Sequence, residues 1–132
     1  MQRPIARSGQ GLTVAYAVCA NGESPGLDFY RNQLDDGNKA KMNALFARMA
    51  DQGTIINGEK FKKITGTEFF EFKSFQVRMP CYYLPGRVLV ITHGFKKQSD
   101  RIPPSEIARA ERIKREDTEY FARKGDTTKW RT

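Results

Sequence analysis

A chain of 132 residues with 39% hydrophobic and 29% charged residues suits one soluble domain with a modest core, and excludes a disordered polymer. Its 23 Lys and Arg against 15 Asp and Glu leave a net charge of +8, which favours polyanionic partners, nucleic acid above all, over acidic ones. Cys19 and Cys81 stand far apart with no metal-type spacing, so neither a disulfide framework nor a Cys-rich metal site is expected, and a reducing cytoplasmic compartment fits.

In chain order, residues 1–11 are expected to form a flexible leader ahead of one domain over 12–124, with a polar tail at 125–132. Arg3 and Arg7 before the apolar run 12–20 resemble the start of a signal peptide. The run is short, however, and its Thr13, Tyr16 and Cys19 interleave with small residues as a strand does. It is too short to span a bilayer, and no membrane partner is expected. Strand 12–19 ends at the turn signal Asn21-Gly22. Ser24-Pro25 then supplies a cap and a first-turn proline for a short helix with Leu27, Tyr30 and Leu34 on one face. Asp35-Asp36-Gly37-Asn38 breaks it, and a second helix follows with Met42, Leu45, Phe46 and Met49 at i, i+3, i+4 and i+7, closed by Gly53.

Residues 57–66 form a basic, turn-rich connection. Three strands come next, over 68–75, 77–84 and 87–92, the last two joined by Pro85-Gly86. Pro80 inside the middle strand implies a bulge or a sheet edge. Pro103-Pro104-Ser105-Glu106 opens a final helix carrying Ile107, Ala110, Ile113, Tyr120 and Phe121. The predicted fold is α+β: an N-terminal strand, a helical hairpin, a three-stranded antiparallel sheet and a C-terminal helix, with the helices on one face.

Several chemistries lack support. There is no phosphate-cradling glycine motif, and His93 is the only histidine, so no metal site and no cofactor are expected. A Ser-His-Asp arrangement about His93 is formally open, but no G-x-S-x-G elbow accompanies it. From position 60 to 101, nine basic residues meet three acidic ones, giving this stretch six of the eight net charges. Lys62, Lys63, Lys73, Arg78, Lys96, Lys97 and Arg101 are among them, interleaved with Phe69, Phe70, Phe72, Phe75, Tyr82, Tyr83 and Phe95. Cations hold phosphates and exposed rings stack on unpaired bases, although strand periodicity places most of these rings in the core. RNA carries its own nucleophile in the 2′-hydroxyl, so a metal-free ribonuclease needs only positioning, charge neutralisation and a proton donor, for which His93 or a Tyr is available.

Glu71-Phe72-Lys73, then Val77-Arg78, then the strand ending His93-Gly94-Phe95-Lys96-Lys97, and the helix opening Pro103-Pro104-Ser105-Glu106-Ile107-Ala108-Arg109-Ala110 resemble the phage-derived HigB-like branch of the RelE/ParE toxin superfamily. The family pattern is an E-L-R strand, a Y-R-[IV] strand, a strand ending H-G-F-x-K-K and a helix opening P-x-x-E-I-x-x-A, and the likeness covers residues 64–121. It implies the toxin of a type II toxin–antitoxin system: a metal-independent endoribonuclease acting on mRNA, on the ribosome, and silenced by a cognate antitoxin of helix-turn-helix type. By matching positions, Arg78 is the arginine on the scissile phosphate, and Lys96 and Lys97 are the basic pair after the last strand. Lys73 takes the place of the E-L-R arginine, and His93 is the candidate general acid. Three departures stand out: Phe72-Lys73 replaces Leu-Arg, Gln76 replaces an aromatic, and Gly-Phe-Lys-Lys is one residue shorter than the pattern.

Each assignment has a structural competitor. Arg78 can pair with Glu71 across strands, Lys96-Lys97 can be a solvated loop, and His93 can be a hydrogen-bonded structural histidine. Glu106 can cap its helix, and residues 111–116 can be a solvated, salt-bridged face. A non-catalytic module binding RNA, the ribosome or a protein is the alternative function, and a phage assembly protein a further one.

Overall fold

In a computed structural model, residues 2–99 and 101–123 are described. They form strands β1 (Ile5–Ser8) and β2 (Thr13–Tyr16), helices α1 (Pro25–Gln33) and α2 (Asp36–Gln52), strands β3 (Phe61–Lys63), β4 (Phe70–Ser74), β5 (Val77–Leu84), β6 (Val88–Ile91) and β7 (Phe95–Lys96), and helix α3 (Pro104–Arg123). The strands make one mixed sheet in the order β1-β2-β6-β5-β4-β3, with β7 beside β5. Only β2 and β6 run parallel. The α+β class holds, but the expected three-stranded antiparallel sheet is the middle of a seven-stranded one. No described helix is long and apolar enough to cross a membrane.

The helices also differ from expectation in placement. α1 and α2 cover one sheet face, where Val14, Tyr16, Phe46, Phe72, Met79 and Ile91 are buried together. α3 covers the other, with Ala110 and Ile113 against Phe69, Tyr82 and Val90. A sheet apolar on both faces needs cover on both, and the apolar stripe of α3 supplies it.

Local details follow the sequence closely. Pro25 begins α1, although the Ser24 hydroxyl donates to the Ala17 carbonyl at 2.8 Å instead of capping. The break between the helices is confined to Leu34 and Asp35: Asp35 caps α2 by accepting from the Asn38 N–H at 2.8 Å, and Asp36-Gly37-Asn38 form its first turn. Gly53, at φ +77°, ends α2 in the left-handed region.

Three strands were not anticipated, and β7 lies just past the predicted end of the strand at 87–92. β3 lies inside the stretch read as a connection, and β1 inside the stretch read as a leader. β1 pairs with β2, and the chain before it is fixed to α3. Arg3 donates through Nε and Nη2 to Asp117 at 3.0 and 2.7 Å, and its guanidinium lies 4.1 Å over the Phe121 ring. Asp117 is fully buried, and it also accepts from the Val18 N–H at 2.8 Å and from the Tyr82 hydroxyl at 2.9 Å. One carboxylate thus joins the chain start, the end of β2, β5 and α3. The expected tail at 125–132 lies outside the described residues.

Pro80 sits in a central strand, not at a sheet edge, and it faces a bulge: between the Cys81–Ile91 and Arg78–Phe95 pairs, two residues of β5 oppose three of the facing chain. A residue's N–H and C=O point to the same side of a strand, and the Pro80 carbonyl accepts from the Thr92 N–H at 2.9 Å. Its missing donor therefore faces residues 92–94, where β6 has ended and β7 has not begun, so no ladder bond is lost.

Replacing Asp117 with Ala leaves the Arg3 guanidinium, the Val18 N–H and the Tyr82 hydroxyl without their shared acceptor. Urea denaturation is expected to show a loss of about 3–5 kcal/mol, the range for breaking a buried ion pair from one side. A loss under about 1 kcal/mol would mean that the start of the chain is not held through this carboxylate.

Candidate nucleic-acid interface

α3 covers only part of its sheet face. Towards the β4–β5 hairpin that face carries Lys62 of β3, Glu71 and Lys73 of β4, and Arg78 of β5. Lys62 pairs with Glu71, and Lys73 with Arg78, so strand pairing turns all four side chains to one side. The segment after β7 runs back along the opening towards α3. Between them lies a cleft of about 630 Å³, lined by Lys62, Lys63, Glu71, Lys97, Ser99 and Arg101, with Ile64, Ile102 and Ile107 at its apolar end.

Four of the eight sequence-predicted site residues, Lys62, Lys63, Lys97 and Arg101, line this cleft. Lys73 and Arg78 stand beside Glu71 at its base. The Arg78 Nη1 donates to the carbonyls of Phe75 at 2.5 Å and Val77 at 2.9 Å, which pins the guanidinium to the hairpin turn. The basic pair splits. Lys96 pairs with Val77, whose side chain belongs to the core under α1 and α2, so strand alternation directs Lys96 away from the cleft. Lys97, the next residue, faces the cleft, and its N–H donates to the Gln76 carbonyl at 2.7 Å.

His93 is not brought to the cleft. It is fully buried, with Nε2 3.0 Å from a Glu106 oxygen and Nδ1 2.9 Å from the Thr92 hydroxyl, and its ring lies against Phe95. A carboxylate only accepts, so Nε2 carries the proton and Nδ1 is an acceptor, sharing the single Thr92 hydroxyl proton with the Pro80 carbonyl 3.2 Å from that oxygen. Burial, followed by Arg109 and Arg112, lowers its pKa from 6.5 to about 3. This geometry is that of a neutral histidine joining β6 to α3, and Glu106 is its partner as well as a first-turn acid. Gly94 is equally constrained: a Cβ there would lie 2.1 Å from the Phe29 ring of α1. The His-Gly-Phe run therefore bonds one helix and admits the other.

Glu71 was noted in the sequence only as part of a motif and as a partner for Arg78. In the structure it is 2% exposed, yet it borders the cleft. Its Oε1 lies 3.7 Å from the Arg78 Nε, an ion pair too long for a hydrogen bond, and neither atom has a hydrogen-bond partner among the described residues. Burial raises its pKa above the usual carboxylate value, against the pull of Arg78, Lys73, Lys62 and Lys97. Burial lowers that of Lys73, helped by Lys62 and Arg78. A proton acceptor and a proton donor, both shifted towards neutrality, thus sit side by side in a cationic cleft. The signal was present in the sequence: Glu71 is the only acid between Glu68 and Asp100. Among the described residues no three His, Cys, Asp or Glu side chains gather as a metal site.

Because the folded state holds His93 below its ordinary pKa, the unfolded chain binds the extra proton first as pH falls. Stability is full above about pH 6.5 and declines towards pH 3, by up to about 1.4 kcal/mol per pH unit from this one group. Denaturation midpoints measured across that window are expected to fall more steeply for wild type than for His93→Gln. Equal slopes would remove His93 as the source.

The model of the family described as phage derived protein Gp49-like (DUF891) matches residues 30–115, which run from α1 into α3 and include the cleft. No curated protein matches the chain. The match spans well over half of the residues: the chain belongs to the Gp49-like family of phage-derived proteins, within the RelE toxin-like group.

Proposed function

We propose that this chain is the toxin of a type II toxin–antitoxin system, of HigB-like kind, which cleaves mRNA on the ribosome in the cytoplasm without a metal and is silenced by a cognate helix-turn-helix antitoxin. The observation that carries the reading is the buried, incompletely bonded Glu71 at the base of a cleft whose other charged lining residues are Lys62, Lys63, Lys97 and Arg101. Cations in that number suit an RNA phosphate, and family membership supports the same chemistry.

The reaction needs three contributions. Lys62, Lys97 and Arg78 hold the scissile phosphate and offset the charge that builds on its non-bridging oxygens. Glu71 accepts the 2′-hydroxyl proton as that oxygen bonds to phosphorus. The bond from phosphorus to the 5′-oxygen breaks, and that oxygen takes a proton from the Lys73 ammonium, whose lowered pKa makes it the better acid. The products are a 2′,3′-cyclic phosphate and a free 5′-hydroxyl. In this scheme proton transfer falls to Glu71 and Lys73, and His93 acts from a distance by holding β6 to α3.

The burial of the only histidine favours one competitor, a non-catalytic RNA- or ribosome-binding module. Induced expression with transcript end mapping separates the two. Wild type is expected to arrest growth and create discrete new mRNA ends, and Arg78→Ala, confirmed folded, to lose both. Arrest without new ends would favour the binding module, and neither effect from soluble wild-type protein would end the toxin reading. With purified components, Glu71→Gln is expected to slow cleavage by about 10²- to 10⁴-fold. The rate should rise with pH as Glu71 deprotonates and fall again as Lys73 does. An unchanged acid limb in Glu71→Gln would remove Glu71 as the base.

A further inference from the structure

The β4–β5 turn carries a feature that the cleft chemistry does not use. Phe75, the first turn residue, has φ +53°, in the left-handed region where glycine is at ease and a bulky aromatic is strained. Its side chain does not repay that strain by burial, being 71% exposed. An exposed ring at a strained turn position contributes little to stability, and such outliers gather where a side chain must be presented.

The surroundings indicate what the ring is presented to. Its carbonyl accepts from the Arg78 Nη1, and the carbonyl of the next residue, Gln76, accepts from the Lys97 N–H, so the turn is held between two cleft cations. On the helical side, the Lys41 Nζ of α2 lies 4.0 Å from the ring centroid. Cationic groups therefore continue from Lys62 and Lys97 in the cleft, past Arg78, over the end of the hairpin to Lys41, with one exposed aromatic between. Along β4, Glu71 and Phe75 are four residues apart, roughly 13 Å of strand. Alternating cations and an exposed ring are the elements of a single-strand nucleic-acid track, in which phosphates follow the charges and a base stacks on the ring.

We infer that Phe75 is a base-stacking platform: it holds a nucleobase flanking the phosphate bound in the cleft and carries the RNA strand over the hairpin towards Lys41. This rests on the RNA reading above and assigns a contact outside the reacting atoms. Phe75 is thus a positioning residue that sets which nucleotide enters the cleft.

The test uses a short single-stranded RNA, 2′-O-methylated throughout so that it cannot be cleaved, with an abasic site moved along it one position at a time. Affinities are measured at low ionic strength for wild type, Phe75→Ala, Phe75→Tyr and Lys62→Ala. Wild type is expected to lose roughly 5- to 150-fold when the stacked base is removed. Phe75→Ala should bind the intact strand more weakly by a similar factor and show no further loss at that position. Phe75→Tyr should restore the pattern, and Lys62→Ala should weaken binding at every position while keeping it. Phe75→Ala should fold as wild type and lose no more than about 2- to 5-fold in its folding equilibrium constant, which is the roughly 0.5–1 kcal/mol of the exposed Lys41 contact. If wild type binds but its abasic profile matches that of Phe75→Ala, the stacking role is overturned and the ring is left to a protein contact. If wild type binds no RNA, the nucleic-acid reading falls with it.

Discussion

The change of partner along β5 is the constraint on which the rest of the molecule depends. Residues 81–84 of β5 pair with β6, residues 77 and 78 pair with β7, and Pro80 faces the gap between the two ladders with no donor to lose. A continuous strand would run past this point with alternating side chains. The extra residue there lets His93 and Gly94 leave the ladder, so His93 bonds to α3 and Gly94 accepts Phe29 of α1. The chain then rejoins β5 as β7, one residue short of Lys97. Because β7 pairs beside Arg78, Lys97 reaches the cleft and Lys96 does not.

The second organising effect is electrostatic. Glu71 is buried among cations without full hydrogen bonding, an arrangement that costs stability rather than adding to it. The compensation lies elsewhere, in a sheet covered on both faces and in Asp117, whose four donors come from across the fold. The two buried carboxylates show opposite designs: Asp117 is satisfied and remote from the cleft, whereas Glu71 is left short of partners beside it.

The helices and central strands were legible because their signals are local. The i, i+3, i+4, i+7 spacing from Met42 to Met49, the Ser24-Pro25 start, Gly53 and Pro85-Gly86 each act within at most two turns of chain. β1, β3 and β7 were not legible: β1 and β3 are short edge strands whose burial alternates weakly, although each pairs with the strand that follows it, and β7 is only two residues long. The clustering of Lys62, Lys63, Lys97 and Arg101 agrees with their common charge, but charge could not separate Lys96 from Lys97, which only the register with Val77 does. His93 had the right residue type for catalysis, and its burial depends on Glu106, thirteen positions away in sequence. Glu71 was hidden for the converse reason, since a carboxylate facing an arginine across a strand pair ordinarily signals an ion pair. Its incomplete bonding and its place at a cleft emerge only in three dimensions.

The central claim, that Glu71 drives 2′-hydroxyl attack within the cationic cleft, is tested most directly by the chemistry of the cut RNA ends. Purified protein would be added to a reconstituted translation reaction, and the new 3′ termini assayed for a 2′,3′-cyclic phosphate, with Glu71→Gln beside wild type. Cyclic phosphate ends from wild type, nearly absent with the folded variant, are the result expected. Ends bearing a free 3′-hydroxyl, or equal yields from both proteins, would contradict the account.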